Sequence, residues 1–89
     1  MAAFEYRQGD KMKSRIKLTF PQHLIKEPVI YTVAKKCDVI PNIRRARVTE
    51  TIGEMILEID GEEDKVELAI EGLREAGVDV EPVVGDIIQ

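Results

Sequence analysis

Tryptophan is absent from this sequence, and cysteine and histidine occur once each. With two phenylalanines and two tyrosines as the only aromatic residues, stacking platforms for single-stranded bases are not expected. The single cysteine, Cys37, excludes an internal disulfide and a cysteine-based metal or iron–sulfur site within the chain. The single histidine, His23, has no second histidine with which to form a typical zinc site. We therefore expect no metal and no cofactor.

Long apolar runs are also missing. No stretch approaches the ~18 apolar residues that a membrane-spanning helix needs, and residues 1–13 lack the apolar segment of a signal peptide. We expect a cytoplasmic protein without membrane insertion. The 13 basic and 17 acidic residues give a net charge of −4, which disfavours nucleic acid as a partner.

The 89 residues are enough for one domain. Residues 1–13 are polar and are predicted to form a flexible N-terminal arm. Residues 14–82 carry regular hydrophobic patterns and are predicted to form the folded domain. Residues 83–89 form an apolar tail, predicted to cover this domain's own sheet edge or a partner's.

Periodicity within residues 14–82 predicts six elements. Alternation predicts a first strand at Ser14–Phe20, a hairpin at 42–60 and a last strand at 78–82. The hairpin loop is predicted at 51–53, where Gly53 is free to take positive φ. Helical spacing predicts one helix that starts at Pro28 and ends near Lys36–Asp38, and another from about Glu62 to Ala76, closed by Gly77. This β-α-β-β-α-β order predicts an α+β, ferredoxin-like sandwich, with two helices on one face of a four-stranded antiparallel sheet.

The open face of that sheet is predicted from strict alternation. Ile43, Arg45 and Arg47 should lie on it with Ile56, whereas Arg44 should point to the other face. The arginines of the first hairpin arm face an acidic second arm. We expect Arg45 and Arg47 to pair across the strands with Glu54 or Glu58.

The side chains that could take part in catalysis or metal binding do not combine into a catalytic arrangement. His23 is interpreted as an exposed loop residue and Cys37 as a buried small hydrophobe. The acidic run Glu62–Asp64 is interpreted as favourable charge at a helix N-terminus. Because no nucleophile, base and orienting group can be assigned, the chain is not expected to be an enzyme.

Several short motifs between Ile16 and Pro82 resemble the NIL domain family. They are the strand that ends in Phe20-Pro21, the pair Asn42-Ile43, Gly53 between the hairpin arms, Asp60-Gly61 before the helix, and the closing Gly77-Val78-Asp79-Val80-Glu81. Arg44 replaces the leucine of the family's Asn-Ile-Leu motif. The resemblance implies a ferredoxin-like fold related to ACT domains, here as a stand-alone domain, and a homodimer that binds methionine.

From this resemblance we expect a non-catalytic regulatory domain that senses methionine or another amino-acid-like or sulfur ligand through Asn42, Ile43 and Arg44. The alternative is a protein-interaction module that docks to a separate redox partner of the ferredoxin type or to a sulfur-metabolism protein. The two hypotheses differ in the binding partner, which is a small molecule in the first and a separate protein in the second.

Overall fold

The computed structural model describes residues 10–83. The strands are β1 (Lys11–Phe20), β2 (Ile40–Val48), β3 (Gly53–Glu62) and β4 (Asp79–Pro82). The helices are α1 (Val29–Cys37) and α2 (Glu63–Glu75), and a 3₁₀ turn at Gln22–Leu24 follows β1. The predicted order of strands and helices is confirmed.

The four strands form one sheet in the order β2-β3-β1-β4, and all neighbours are antiparallel. The strands β3 and β1 are central, whereas β2 and β4 form the two edges. This order, with two crossover helices, is the ferredoxin-like α+β fold that the element order predicts. β2, which contains the predicted ligand-binding residues, therefore lies along its whole length at one edge of the sheet.

β1 begins earlier than the alternation predicts. It starts at Lys11 rather than Ser14, and Met12 and Lys13 pair with Gly61 and Asp60 of β3. Three residues assigned by sequence to the N-terminal arm therefore belong to the sheet. Asp10 precedes β1, and its carbonyl accepts a hydrogen bond of 2.8 Å from the Glu63 amide. Residues 1–9 of the predicted arm and the tail beyond Val83 lie outside the described residues.

The hydrophobic core lies between the sheet and the helices. Its largest fully buried side chains come from β1, β3 and α2: Leu18, Leu57, Ile59, Val66 and Leu73. These residues follow the predicted period of two in the strands and of 3.6 in the helix. In α1 only Ala34 is buried, and Val29, Ile30, Val33 and Cys37 pack half-buried against the core.

The start of α1 and the end of α2 agree with the sequence signals. Pro28 immediately precedes α1, and its carbonyl accepts a hydrogen bond from the Thr32 amide at 3.0 Å. Gly77 has φ 106° after α2, and the Val78 amide donates to the Leu73 carbonyl at 3.1 Å. This pattern is the glycine-closed helix end that the sequence predicts.

The role predicted for Gly53 is wrong. Gly53 is the first residue of β3, and among the described glycines only Gly77 has positive φ. Instead, the hydroxyl of Thr49 shapes the hairpin loop by accepting hydrogen bonds from the amides of Thr51 and Ile52. Gly53 is buried where a Cβ atom would lie 3.1 Å from both Ile25 Cγ1 and Phe20 Cβ. Close packing is therefore the reason for glycine at this position.

Candidate functional site on the edge strand

The three predicted ligand-binding residues, Asn42, Ile43 and Arg44, lie in the middle of β2. All three are exposed. Asn42 is opposite Glu58 and Ile43 is opposite Leu57, but the next paired residue is Arg45, opposite Ile56. Arg44 is therefore the extra residue of a β-bulge, which interrupts the alternation at the centre of the predicted site.

The bulge overturns the face assignment made from strict alternation. Ile43 lies on the helix side with Leu57, not on the open face with Arg45 and Arg47. Arg44 reaches the open-face residue Glu58, with Nη1 3.9 Å from Oε1. The single extra residue moves both side chains, since neighbouring positions on a strand face opposite ways.

Glu58 is the electrostatic centre of this part of the open face. Its Oε2 accepts a hydrogen bond of 3.0 Å from Arg15 Nη2 of β1, and its side chain is only 13% exposed. That hydrogen bond lowers the pKa of the Glu58 carboxyl below its ordinary value of 4.5, and burial opposes the shift. The positive charges of Arg15, Arg44 and Lys13 lower the pKa further.

The ion pairs predicted for Arg45 and Arg47 are not observed. Among residues 10–83, neither guanidinium lies within 4.0 Å of a carboxylate, although Glu54 is the cross-strand partner of Arg47. Arg15 and Arg44 are the arginines that meet Glu58 instead. Sequence alternation identified the right acidic strand but paired it with the wrong basic residues.

β2 also carries exposed apolar side chains, of which the sequence motifs pointed only to Ile43. Ile40 is 69% exposed, Ile43 54% and Val48 56%. Large hydrophobic residues on an unpaired edge favour strand pairing with another chain. The sequence signal that could have predicted this exposed apolar edge was the presence of apolar residues on a strand expected at the edge of a ferredoxin-like sheet.

A small apolar hollow of about 130 Å³ opens beside the C-terminal end of β2. Its lining comes from the β1–α1 connection, the start of α1 and the hairpin, and includes Phe20, Ile25, Tyr31, Val48 and Met55. The predicted trio is not part of this lining. Val48 belongs both to this lining and to the exposed apolar residues of β2, so the hollow adjoins the edge strand at its C-terminal end.

The other predicted chemical candidates lie apart from this edge. His23 is exposed in the 3₁₀ turn, and Cys37 is half-buried against the core at the end of α1. Glu63 and Asp64 occupy the first turn of α2, as predicted. Within residues 10–83, no three acidic, cysteine or histidine side chains converge in a metal-binding cluster. No helix in this described part is long and apolar enough to span a membrane.

The fold and this site define a ferredoxin-like α+β domain whose candidate binding residues lie on an exposed edge strand. The chain belongs to the NIL domain family, whose model matches residues 14–82. The resemblance noted from the sequence motifs is thereby confirmed.

One similar solved structure is the crystal structure of the C-terminal domain of an ABC transporter ATP-binding protein from Enterococcus faecalis. It aligns with a TM-score of 0.73 and 25% sequence identity, covering 93% of this chain and 92% of that one. A comparison with curated protein sequences finds no match.

Proposed function

We propose that this domain is a non-catalytic regulatory module that pairs with a second copy through β2 and senses a small amino-acid-like ligand beside Asn42–Arg44. Membership of the NIL family and similarity to a domain of a transporter ATP-binding protein support a regulatory role in general. The observation that carries the proposal is the exposure of Ile40, Ile43 and Val48 on one edge strand. In this proposal the domain works in the cytoplasm.

Pairing through β2 follows from its hydrogen-bonding groups and its apolar side chains. One side of this strand pairs with β3, and no described strand pairs with the other. A second β2 in antiparallel orientation would satisfy those groups and cover Ile43 and Val48. Arg44 is the central residue of the nine in β2, so a symmetric pair over the full strand length places both bulges near the two-fold axis.

Two of the three residues at that axis suit an amino-acid-like ligand on the open face. The amide of Asn42 both donates and accepts hydrogen bonds, and the guanidinium of Arg44 matches a carboxylate in a bidentate geometry. Ile43 lies on the helix side of the strand, so its apolar side chain contributes to the pairing beneath this site. Methionine or another sulfur-containing amino acid presents the amino and carboxylate groups that Asn42 and Arg44 would bind.

Self-association is tested by light scattering on the wild type and two charge variants at micromolar concentration. We expect a dimeric mass for the wild type, a monomeric mass for Ile43→Glu and a dimeric mass for Leu68→Glu. Leu68 is a matched control because it is 61% exposed but lies on α2. A monomeric wild type would contradict the proposed pairing.

Ligand sensing is tested by thermal denaturation with a panel of amino acids and sulfur metabolites. A ligand at about 100 times its dissociation constant stabilises the folded state by about 2.7 kcal/mol. We expect Asn42→Ala to abolish this effect, and Arg44→Leu to weaken binding of ligands that have a free carboxylate more than binding of their amides. A panel in which no compound shifts the unfolding temperature would refute amino-acid sensing.

The alternative is that β2 accepts a strand from a different protein, such as a redox partner of the ferredoxin type or a sulfur-metabolism enzyme. The same exposed residues support this alternative, because strand addition requires a free edge. A monomeric wild type whose binding to a purified candidate partner is lost in Ile43→Glu would favour it over self-association.

A further inference from the structure

The open face of the sheet contains a second cluster of positive charge, separate from the network around Glu58. Lys17 of β1 and Arg45 of β2 are both cross-strand partners of Ile56 of β3, so all three share one face. Together with Arg47, Glu54 and Met55, they line a shallow hollow of about 280 Å³. The three cations thus surround a half-buried apolar residue.

The two basic groups on this face differ in how their charge is balanced. Arg15 and Arg44 both approach the Glu58 carboxylate, at 3.0 and 3.9 Å. Within the described residues, Lys17, Arg45 and Arg47 have no carboxylate within 4.0 Å, even though Glu54 lines the same hollow. Three like charges around one hollow repel one another, and a bound anion would relieve this repulsion.

From this arrangement we infer that the hollow binds a compact anion with two or more negative charges, of the di- or tricarboxylate or phosphoryl class. Guanidinium groups bind such oxygens in bidentate pairs. The apolar surface of Ile56 suits the carbon body of a small ligand, as in small-molecule sites that combine an apolar lining with a few polar groups.

The surroundings favour a compact anion over an extended one. Adjacent strands are about 4.8 Å apart, which places the backbones of Lys17 and Arg45 about 10 Å apart across β3. Beyond Lys17, the neighbouring strand β4 presents the acidic residues Asp79 and Glu81, which face Thr19 and Lys17. On the β4 side the positive region is therefore bounded by negative charge, and this narrow width disfavours a nucleic acid or an acidic protein surface.

The direct test is an NMR titration of the full chain with citrate and with pyrophosphate, in which the amide chemical shifts report binding. Sodium chloride is added to the reference samples to match ionic strength, since screening alone alters surface electrostatics. We expect saturable changes centred on Lys17, Arg45, Arg47 and Ile56 with at least one of the two anions. Changes centred elsewhere, or changes that the matched salt reproduces, would overturn the inference.

Two charge-matched variants separate a built site from general attraction. We expect Arg45→Gln/Arg47→Gln to weaken the affinity by about tenfold or more, equivalent to at least about 1.4 kcal/mol. Lys26→Gln/Lys36→Gln removes the same charge from exposed positions outside the hollow, and it should change affinity less than about twofold. Equal weakening in both variants would refute a specific site.

A third variant tests the bidentate contact and separates this inference from the proposed function. Arg45→Lys/Arg47→Lys keeps the charge but loses the planar donors, so affinity should fall by about threefold or more. Wild-type affinity in this variant would contradict bidentate binding. Asn42 lies outside the hollow, so Asn42→Ala should leave anion binding unchanged even if it abolishes amino-acid sensing. Weakened anion binding in Asn42→Ala would count against a separate site.

Discussion

Glu58 and Arg15 form a hydrogen-bonded ion pair of 3.0 Å across the two central strands, on the sheet face away from the helices. They are directly opposite each other in the β1–β3 register, and Arg44 approaches the other carboxylate oxygen from the edge strand. One half-buried carboxylate therefore connects three adjacent strands, and its ionisation should influence the stability of the sheet.

The first prediction concerns pH. The pKa of Glu58 is lower in the folded protein than the ordinary value of 4.5. Its contribution is thus present above that ordinary value and is lost as the pH falls through the folded-state pKa. We expect Glu58→Gln to be less stable than the wild type near pH 7, with the difference shrinking as the pH drops below about 4.5.

This prediction is checked by urea denaturation of both proteins between pH 7 and pH 3. Glu67→Gln is the control, since Glu67 is exposed on α2 and the structure gives it no ion pair within residues 10–83. A stability difference between Glu58→Gln and the wild type that stays constant over the whole range would contradict the role assigned to the ionised carboxylate.

The second prediction tests the close packing at Gly53. A Cβ atom there would lie 3.1 Å from Ile25 Cγ1 and from Phe20 Cβ. We expect Gly53→Ala to destabilise the fold by about 1–3 kcal/mol, the usual cost of overpacking. Gly72→Ala is the matched control, because its Cβ would lie 3.4 Å from Val33 Cγ1 and alanine favours a helix interior by up to about 1 kcal/mol.

Chemical denaturation of the two alanine variants measures this contrast. If Gly53→Ala were as stable as the wild type, the loop that carries Ile25 would have to move aside without cost. That outcome would weaken the assignment of Gly53 to packing and would leave its presence in the hairpin unexplained.

The third prediction concerns the end of α2. Gly77 has φ 106°, and an added Cβ would also lie 3.3 Å from Leu24 Cδ1. We expect Gly77→Ala to cost about 1–2 kcal/mol from the left-handed conformation. Gly77→Asn should cost less, because asparagine enters that conformation more readily than alanine. A higher unfolding temperature for Gly77→Ala than for Gly77→Asn would argue against backbone conformation as the cause of the destabilisation.

The fourth prediction separates the core from the surface with a single residue type. Leu18 is completely buried in β1, whereas Leu68 is 61% exposed on α2. We expect Leu18→Ala to destabilise the domain by about 2–5 kcal/mol and Leu68→Ala by less than about 0.5 kcal/mol. Equal losses measured in urea would indicate that Leu68 is covered in solution, for example by another chain.

Much of the fold was predictable because burial imposes local periodicity. Leu18, Leu57 and Leu73 each fall at the apolar positions of a strand or helix pattern, and each is buried as that pattern predicts. Pro28 and Gly77 marked helix ends, since their backbone preferences are local properties of the residue. The beginning of β1 is not predicted because Ser14, a polar residue opposite the buried Ile59, interrupts the apolar alternation that Met12 otherwise continues.

The sequence by itself determined the order of the elements, the core faces and membership of the family. Only the tertiary structure decided the details of the candidate site. The bulge at Arg44 depends on how β2 aligns with β3, and no local pattern encodes an inserted residue. That alignment moved Ile43 to the helix side, brought Arg44 to Glu58 and left Arg45 and Arg47 beside the open hollow, because cross-strand neighbours are set by register rather than by sequence spacing.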